Sequence, residues 1–418
     1  MKKSPLQFAK KTVNTSLNIA GRLQKTASVA GLSALRIAKG EKPDAHLLKE
    51  TFMQLGVTYI KLGQFIASTP SLFPKDYVNA FAECLDKTPP LPFEMILGVL
   101  QDELGDTDDI FSHIDPTPLA SASIAQVHKA VLKDGRVVAL KVQKPNVGTI
   151  IQTDLGVLYG TFWTLEKLMP SMKAVNLAPI MAEIKERMYA ETDFVAESAN
   201  IEHFHRFLEQ TGNQKITAPT VHHNLSTKKV LVMDFLQGKS LIDVDFNDMT
   251  AQRVMNDVLD TWFLSVVMTG KFHADLHAGN VMWLDDGKVA FLDFGLVGNI
   301  DPKSLQSCFY LVQALQAGDY QGMAQAMAGI GMTHVKVDTK CLASDLQTLL
   351  SNQRHDTDNL NAFMLELGDI GKRHGIHFPK DFALLTKQML YFDRFMVALA
   401  PDMDLFGGER MKVVQALQ

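Results

Sequence analysis

The segment at residues 271–297 constrains the fold and the chemistry of this chain more than any other. It reads KFHADLHAGNVMWLDDGKVAFLDFGLV. Asp275 and Asn280 stand five positions apart, and Asp293 follows thirteen residues after Asn280, behind the apolar run Val289–Leu292. The motif with Asp275 and Asn280 and the motif with Asp293 are joined by a hairpin-like segment. Together they indicate a function much more strongly than either motif alone.

The spacing of these three side chains matches what phosphoryl transfer requires. That reaction needs one carboxylate to handle the attacking hydroxyl, and an amide oxygen and a second carboxylate to hold Mg²⁺ on the nucleotide phosphates. The kinase pattern H-R-D-x-x-x-x-N followed by D-F-G supplies them in this order. Asp275 is therefore the predicted catalytic carboxylate, and Asn280 and Asp293 are the predicted metal ligands. The alternative is a polar turn in which His273 and His277 are ordinary hydrogen-bonded histidines.

The length and composition of the chain limit the class of protein and the partners that it can have. Its 418 residues exceed one ordinary domain, and 46% hydrophobic with 21% charged residues fit a globular protein with a substantial core. A net charge of −5 gives no argument for a nucleic-acid partner, and the three cysteines lack metal-ligand spacing. No apolar run approaches the roughly 18 to 20 residues that span a bilayer, so we expect no integral membrane protein and a cytoplasmic location.

Residues 1–45 form a basic N-terminal segment that predicts a helix. Eight Lys and Arg residues precede the first acidic residue, Glu41, and apolar residues recur near helical spacing. Such a helix can lie on an anionic lipid surface, which would give peripheral contact with the inner face of a membrane. It can equally pack on the body of the protein, and the sequence leaves both possibilities open.

Periodicity and turn residues divide the rest of the chain into helical and strand-rich parts. The first part of the chain is predicted to contain helices over 46–86, a linker over Thr88–Pro92 and a helix over Glu94–Leu104. Strands are predicted from Ile114 onward, including Ile124–Val131 and Arg136–Val142 around an Asp134-Gly135 turn, followed by helices over 148–210 that are interrupted near Pro170 and Pro179. A strand over Val230–Phe235, a turn at Gly238 and helices beyond Gln252, apart from the hairpin, complete the prediction. This order favours an α+β, protein-kinase-like two-lobed fold with an N-terminal helical extension and a mostly helical C-lobe. The predicted domains are 1–45, 46–110, 111–238 and 239–418.

The nucleotide-binding residues are predicted next. Val138-Ala139-Leu140-Lys141 fits the strand whose lysine orients the α and β phosphates, although several carboxylates between Glu183 and Glu197 leave its partner open. Before it, where a kinase has a glycine-rich loop, this chain has no glycine, which predicts a stiffer loop. The predicted contacts to phosphate are Ala120, Ser121, Ala122, Ser123, Ile124 and Ala125. The adenine is expected near the backbone of Asp234 to Leu236.

Four separated motifs in this chain resemble the UbiB (AarF-type) atypical kinases, which are linked to isoprenoid quinone biosynthesis. They are Lys61-Leu62-Gly63-Gln64 (K-x-G-Q), the alanine-rich loop ASASIAQVH with Lys141 after it, Glu191-Thr192-Asp193 (E-x-D), and HADLHAGN with its D-F-G. The resemblance spans roughly residues 50 to 300. One departure is that Leu276 and Ala278 replace two prolines of the usual family motif.

The resemblance implies further site residues and a constraint on the substrate. It makes Glu197 the partner of Lys141, and Lys61, Gly63, Gln64, Glu191 and Asp193 members of the site. In the family the K-x-G-Q helices are thought to fold over the cleft where a protein substrate would dock. ATP hydrolysis coupled to the handling of lipid-like quinone precursors is then favoured over protein phosphorylation.

The predicted function is thus a kinase-like ATPase or phosphotransferase with ATP or ADP and Mg²⁺ as cofactors. A quinone precursor or an anionic lipid is the expected further partner. Two alternatives remain open. One is a small-molecule phosphotransferase of the aminoglycoside or choline type, which uses a similar H-x-D-x-H-x-x-N pattern. The other is a non-catalytic scaffold gated by nucleotide.

Overall fold

A computed structural model of the protein describes residues 5–42, 44–68, 75–82, 88–168, 184–186, 188–333, 337–352, 360–401 and 403. The chain forms two compact units, and each is described by itself. Unit 1 comprises Met1–Ala196 and Val221–Phe235, and unit 2 comprises Glu197–Thr220 and Leu236–Gln418. The four-part domain division predicted from the sequence stays a prediction.

Helices make up most of the described chain, and short strands occupy its middle. The α-helices are α1 (Pro5–Ala38), α2 (Ala45–Leu55), α3 (Val57–Ser68), α4 (Lys75–Ala82), α5 (Phe93–Leu104), α6 (Thr107–Ile110), α7 (Val147–Leu168), α8 (Phe194–Thr211), α9 (Asp248–Thr269), α10 (Pro302–Ala317), α11 (Tyr320–Ile330), α12 (Thr339–Asn352), α13 (Leu360–Arg373) and α14 (Lys380–Leu399). The strands are β1 (Phe111–Ser121), β2 (Ala125–Leu132), β3 (Val137–Gln143), β4 (Ile216–Thr217), β5 (Val230–Asp234), β6 (Gly238–Ser240), β7 (Lys271–His273), β8 (Val281–Leu284), β9 (Val289–Phe291), β10 (Val297–Asn299), β11 (Met332–Thr333) and β12 (Ile376–His377).

Unit 1 contains an antiparallel sheet in the order β1-β2-β3-β5. The predicted hairpin is present, with Gly135 at a positive φ in the turn between β2 and β3. Helix α5 lays Ile96 and Leu100 on one face of the sheet, where both are fully buried with Leu140 and Val230. The predicted strands over 124–131, 136–142 and 230–235 and the helix over 94–104 are confirmed to within one or two residues.

A helical cluster forms the second core of unit 1. Helices α2, α3, α4 and α7 bury a continuous set of apolar side chains, in which Phe52 contacts both Tyr59 and Phe81 at ring-centroid distances of 5.5 and 5.2 Å. Ile151 of α7 belongs to the same cluster and is 1% exposed. The cluster holds the K-x-G-Q helix α3 on the body of unit 1.

Helix α1 packs on this cluster through a buried ion pair. The Arg22 guanidinium donates two hydrogen bonds to the Asp154 carboxylate on α7, one of them 2.7 Å long, and Asp154 is fully buried. Val29 of α1 is buried in the same core. For residues 20–38 the structure therefore supports packing on the body. The side chains of residues 1–19 lie outside the described set, and membrane contact there stays a prediction.

Unit 2 contains the sheet order β4-β9-β8-β6, the antiparallel pair β7 and β10, and the helices from α9 onward. The expectation of helices alone beyond the hairpin was incomplete, because β10, β11 and β12 also occur. The turn expected at Gly238 was wrong, because Gly238 begins β6. A Cβ at that position would collide with the carbonyl oxygen of Trp283, so this close strand pairing requires glycine. Among the described residues, no helix combines the length and the apolar character that crossing a membrane demands.

We expect the Arg22→Met substitution to lower the free energy of unfolding by about 3 to 5 kcal/mol, because it leaves the buried Asp154 carboxylate uncompensated. Urea denaturation followed by circular dichroism measures this loss. The matched control is Arg36→Met, which removes a guanidinium that pairs with Glu41 and Glu50 on the surface. That change should cost far less, because solvent screens an exposed ion pair. Equal losses in the two variants would contradict a special role for the buried pair.

Candidate active site

The loop that carries the predicted catalytic residue Asp275 follows directly on strand β7 of unit 2. Asp275 comes two residues after the strand, and a short 3₁₀ turn, Ala278–Asn280, leads into β8. The Asn280 side-chain nitrogen donates to the Asp275 carbonyl oxygen at 2.9 Å. His277 accepts a hydrogen bond from the Gly279 amide at 3.0 Å and thereby begins the 3₁₀ turn. The loop is closed on itself by its own polar side chains.

His273 joins this loop to the segment that carries Asp293. Its Nε2 bonds the Leu292 carbonyl oxygen at 2.7 Å, and its Nδ1 accepts from the Asp275 amide at 3.2 Å. This pair of contacts fixes the neutral tautomer with the proton on Nε2. Complete burial lowers the pKa of His273 below its ordinary value. The histidine is thus a structural bridge in its neutral form.

Asp293 lies immediately beyond β9 in an unusual backbone conformation. Its φ is +53°, in the left-handed region that residues other than glycine seldom adopt. Such strain persists where surrounding contacts enforce it and is frequent at functional sites. The Gly295 amide donates to Asp293 Oδ1 at 3.3 Å. A Cβ at Gly295 would lie 3.1 Å from that oxygen and 3.9 Å from Glu197 Oε2, so glycine suits this crowded position.

Helix α8 presents one face to the D-F-G segment within unit 2. The Asn200 side-chain nitrogen donates to the Phe294 carbonyl oxygen at 3.0 Å. Phe204 packs on the Phe294 ring with a centroid distance of 5.1 Å, and Glu197 is 3% exposed. Because residues 197, 200 and 204 are one and two turns apart, they share one side of the helix. That face holds the D-F-G backbone in position.

The chemistry of Asn280 and Asp293 fits a magnesium ion. Mg²⁺ takes oxygen ligands, and protein sites commonly supply one or two side chains while substrate phosphates and water supply the rest. The Asn280 nitrogen is engaged as a donor, so the amide oxygen is the atom available to a cation. The Leu292 amide bonds the Asn280 carbonyl at 2.9 Å, which brings the two predicted ligands to adjacent strand ends. In the described residues, no group of three or more His, Cys, Asp or Glu side chains forms a separate metal site.

In unit 1, the alanine-rich loop lies between β1 and β2. Ala120 and Ser121 end β1, Ala122 to Ile124 make the turn, and Ala125 begins β2. Among the described non-glycine residues, only Asn146 and Asp293 have a positive φ, so this loop turns with ordinary backbone angles. It has no need of glycine. Ser123 and Ile124 are buried, at 4% and 5% exposure.

Thr88 of the proline-rich linker fixes this loop. Its amide donates to the Ser121 carbonyl at 3.1 Å and its hydroxyl to the Ala122 carbonyl at 2.7 Å. The Lys144 ammonium donates to the same hydroxyl at 2.6 Å, and the Lys144 amide bonds the Ile124 carbonyl at 2.7 Å. Donors from outside the loop therefore occupy three of its carbonyl groups, and the stiffness expected from its sequence stays a prediction.

The predicted family-motif residues of unit 1 lie on helix α3 and in the turn before helix α8. The Lys61 ammonium pairs with the Glu191 carboxylate at 2.7 Å, which joins the K-x-G-Q helix to the E-x-D turn. Asp193 accepts hydrogen bonds from the Val195 and Ala196 amides and so begins helix α8. Gly63 is buried on α3, and Gln64 is half-buried beside it.

Lys141 lies in the middle of β3, and its ammonium is 5.4 Å from the centre of the Phe194 ring. Asp234 ends β5 and bonds His222 Nε2 at 2.8 Å, and Leu236 begins the next part of unit 2. Because Lys141 belongs to unit 1 and Glu197 to unit 2, their predicted pairing stays a prediction.

The comparison with known protein families decides the family of this chain. The model of the ABC1 atypical kinase-like domain matches residues 83–327, which is more than half of the chain. The chain belongs to the ABC1 atypical kinase-like family. The resemblance to UbiB proteins and the kinase-like α+β fold are therefore confirmed.

Relatives of known sequence extend over most of this ABC1 protein. An uncharacterised aarF domain-containing protein kinase of Arabidopsis thaliana chloroplasts is 39% identical over 398 residues, covering 88% of this chain and 74% of the relative. A Marinobacter nauticus protein named "Probable protein kinase UbiB" is 27% identical over 385 residues, covering 89% and 69%. A solved Mycobacterium tuberculosis structure, a complex with erythromycin, has a TM-score of 0.57 at 22% identity, covering 92% of this chain and 95% of its own. That likeness is one of fold.

Three contributors to the site escaped the sequence analysis. Thr88 was read only as part of a linker, and Asn200 carries no motif, although its spacing from Glu197 could have indicated it. Helix α14 belongs to the region predicted only as helices beyond Gln252, yet the Lys387 ammonium lies 2.8 Å from Asp275 Oδ1 and Gln388 bonds both backbone groups of Leu276. No signal near residue 275 in the sequence points to a helix more than a hundred positions away.

We expect the free energy of unfolding to fall with pH below about 6.5, because unfolded His273 takes up a proton that the folded, lowered-pKa imidazole refuses. Above that pH the His273 imidazole is neutral in both the folded and the unfolded protein, so it no longer lowers the free energy of unfolding. Replacing His273 with Gln should flatten this slope, by at most about 1.4 kcal/mol per pH unit at the acid end of the range. Urea titrations between pH 5.5 and 7.5 measure it, with the exposed His113→Gln variant as control. An unchanged slope in the His273 variant would contradict the neutral bridge.

Proposed function

We propose that this chain binds Mg–ATP, or Mg–ADP as product, and catalyses phosphoryl transfer. The observation that carries the proposal is the loop geometry of unit 2, where Asp275, Asn280 and Asp293 are held by His273 and by the hydrogen bond between Leu292 and Asn280. Asn280 and Asp293 hold magnesium, which neutralises the charge on the phosphates. Asp275 orients the attacking oxygen.

The remaining groups in this proposal belong to both units, with Glu197 and Leu236 in unit 2 and the others in unit 1. Lys141 orients the α and β phosphates with Glu197 as its partner, the loop from Ala120 to Ala125 covers the phosphates, and the backbone from Asp234 to Leu236 meets the adenine. Support comes from the position of Lys141 on β3 and from the loop that Thr88 fixes between β1 and β2. The presence of every expected group favours an active enzyme over a non-catalytic scaffold.

The acceptor in this proposal is water, and hydrolysis serves the handling of lipid-like precursors of isoprenoid quinones. The ion pair between Lys61 and Glu191 supports it, because it fastens the K-x-G-Q helix to the E-x-D turn within unit 1. Membership of the ABC1 family, with a UbiB-named relative, supports the link to quinones. The protein acts in the cytoplasm, and its basic N-terminal residues contact the inner face of a membrane.

A small-molecule phosphotransferase is the second candidate. HADLHAGN keeps the H-x-D-x-H-x-x-N pattern, and a protein of the same fold binds erythromycin in its solved complex. Screening this chain for ATP-dependent phosphorylation of amino-alcohols and macrolides separates the two. A fast, specific acceptor would replace water in the proposal.

We expect Asp293→Asn to lower Mg-dependent ATP hydrolysis by about a hundredfold or more, because the amide removes the charge that holds the metal in the transition state. Steady-state phosphate release at saturating magnesium measures this. Asp286→Asn is the matched control, since Asp286 is an exposed carboxylate in the turn of the same hairpin. Undiminished hydrolysis in Asp293→Asn would refute the metal assignment.

We expect a strain that lacks this gene to accumulate an early prenylated quinone precursor, because a later step would lose the ATP-driven handling of that lipid. Mass-spectrometric quinone profiling measures the precursor. Complementation by the wild-type chain should clear it, and complementation by Asp275→Asn should fail. Full rescue by an Asp275→Asn protein that does not hydrolyse ATP would instead support the scaffold alternative.

A further inference from the structure

Helix α14 directs a set of side chains at the catalytic loop within unit 2. The Lys387 ammonium lies 2.8 Å from Asp275 Oδ1 and 5.1 Å from the centre of the Tyr391 ring. Tyr391 also meets the edge of the His277 ring, at a centroid distance of 6.3 Å. Residues 387 and 391 are one helical turn apart, so they share one face of the helix.

The neighbouring Gln388 fixes the backbone of the same loop. It is fully buried, its carbonyl oxygen accepts from the Leu276 amide at 2.8 Å, and its nitrogen donates to the Leu276 carbonyl at 3.1 Å. At the start of the helix, Asp381 accepts from the Asn299 amide at 3.0 Å on strand β10. Helix α14 therefore holds the strand and the loop at successive points, and the position of Lys387 beside Asp275 is determined by the fold.

The contact between Lys387 and Asp275 differs from a surface ion pair. The Lys387 side chain is 19% exposed and that of Asp275 32%, whereas exposed lysines in this chain reach 75%. An ammonium that donates to one carboxylate oxygen at this distance restricts the rotamers of the Asp275 side chain. A loose phosphoryl-transfer transition state requires orientation of the nucleophile more than its deprotonation.

We propose that Lys387 is a positioning residue for the phosphoryl-transfer reaction. It holds the Asp275 carboxylate in one orientation, and Asp275 in turn orients the attacking oxygen. Gln388 fixes the peptide that carries this carboxylate. The C-terminal helix α14 is thus part of the machinery of the site. This inference rests on the proposed function, because it assumes that Asp275 acts on a nucleophile.

The test compares Mg-ATP hydrolysis by the full chain and by Lys387→Met, Lys387→Arg and Arg394→Met. Lys387→Met should lower kcat about a hundredfold, as loss of a preorganised charged group does. The KM for Mg-ATP should change less than about threefold, because the interaction acts on the transition state. Lys387→Arg keeps the cation and should recover at least about a tenth of the wild-type kcat. Arg394→Met removes a cation from an exposed position of the same helix and should leave kcat unchanged.

Two measurements keep the outcomes separate. Thermal unfolding and nucleotide affinity are recorded for each variant, and the inference requires the lowered kcat in a Lys387→Met protein that melts and binds Mg-ATP as the wild type does. Unchanged kcat in that variant overturns the role of Lys387 and leaves the proposed function intact. Loss of kcat in Lys387→Arg as deep as in Lys387→Met, or loss explained by unfolding, also overturns it. If the wild type shows no Mg-dependent hydrolysis, the proposed function falls, and this inference falls with it.

Discussion

The hydrogen bond from the Leu292 amide to the Asn280 carbonyl joins the two halves of the catalytic segment, and the site in unit 2 is built around it. It continues the pairing of β8 with β9 beyond the ends of both strands. Because a hairpin has a fixed register, Asn280 and Asp293 must leave it at neighbouring positions. His273 adds a second connection across the same gap, and it can do so only while its imidazole is neutral. A short, buried ladder thus brings the predicted ligands Asn280 and Asp293, which are thirteen positions apart in the sequence, to neighbouring positions.

The loop between β1 and β2 of unit 1 is held by hydrogen bonds from other segments and contains no glycine. Glycine gives such a loop freedom, and here the carbonyls of Ser121, Ala122 and Ile124 are instead held by Thr88 and Lys144. The loop has ordinary backbone angles, so alanine and serine suffice. The small side chains of this loop therefore allow close packing, and the backbone freedom that glycine gives is not needed.

The sequence predicted those parts of the molecule whose interactions are local. The hairpin turn at Gly135, strand β3 with Lys141, helix α5 and the order of Asp275, Asn280 and Asp293 all follow from residues close together in the chain. Contacts between distant segments could not be predicted. Lys387 reaches Asp275 across 112 positions, and Arg22 reaches Asp154 across 132. Gly238 was misread as a turn because its reason for being glycine, the approach of Trp283, is visible only in three dimensions.

The buried pair of Arg22 and Asp154 has a practical consequence for shortened versions of the protein. Residue 22 lies within the first helix, ahead of every predicted motif, and would ordinarily be regarded as dispensable. Deleting it would strand a carboxylate at the centre of the helical core that supports K-x-G-Q. A truncation that removes this arginine is therefore expected to destabilise unit 1, even though it leaves every predicted motif in place.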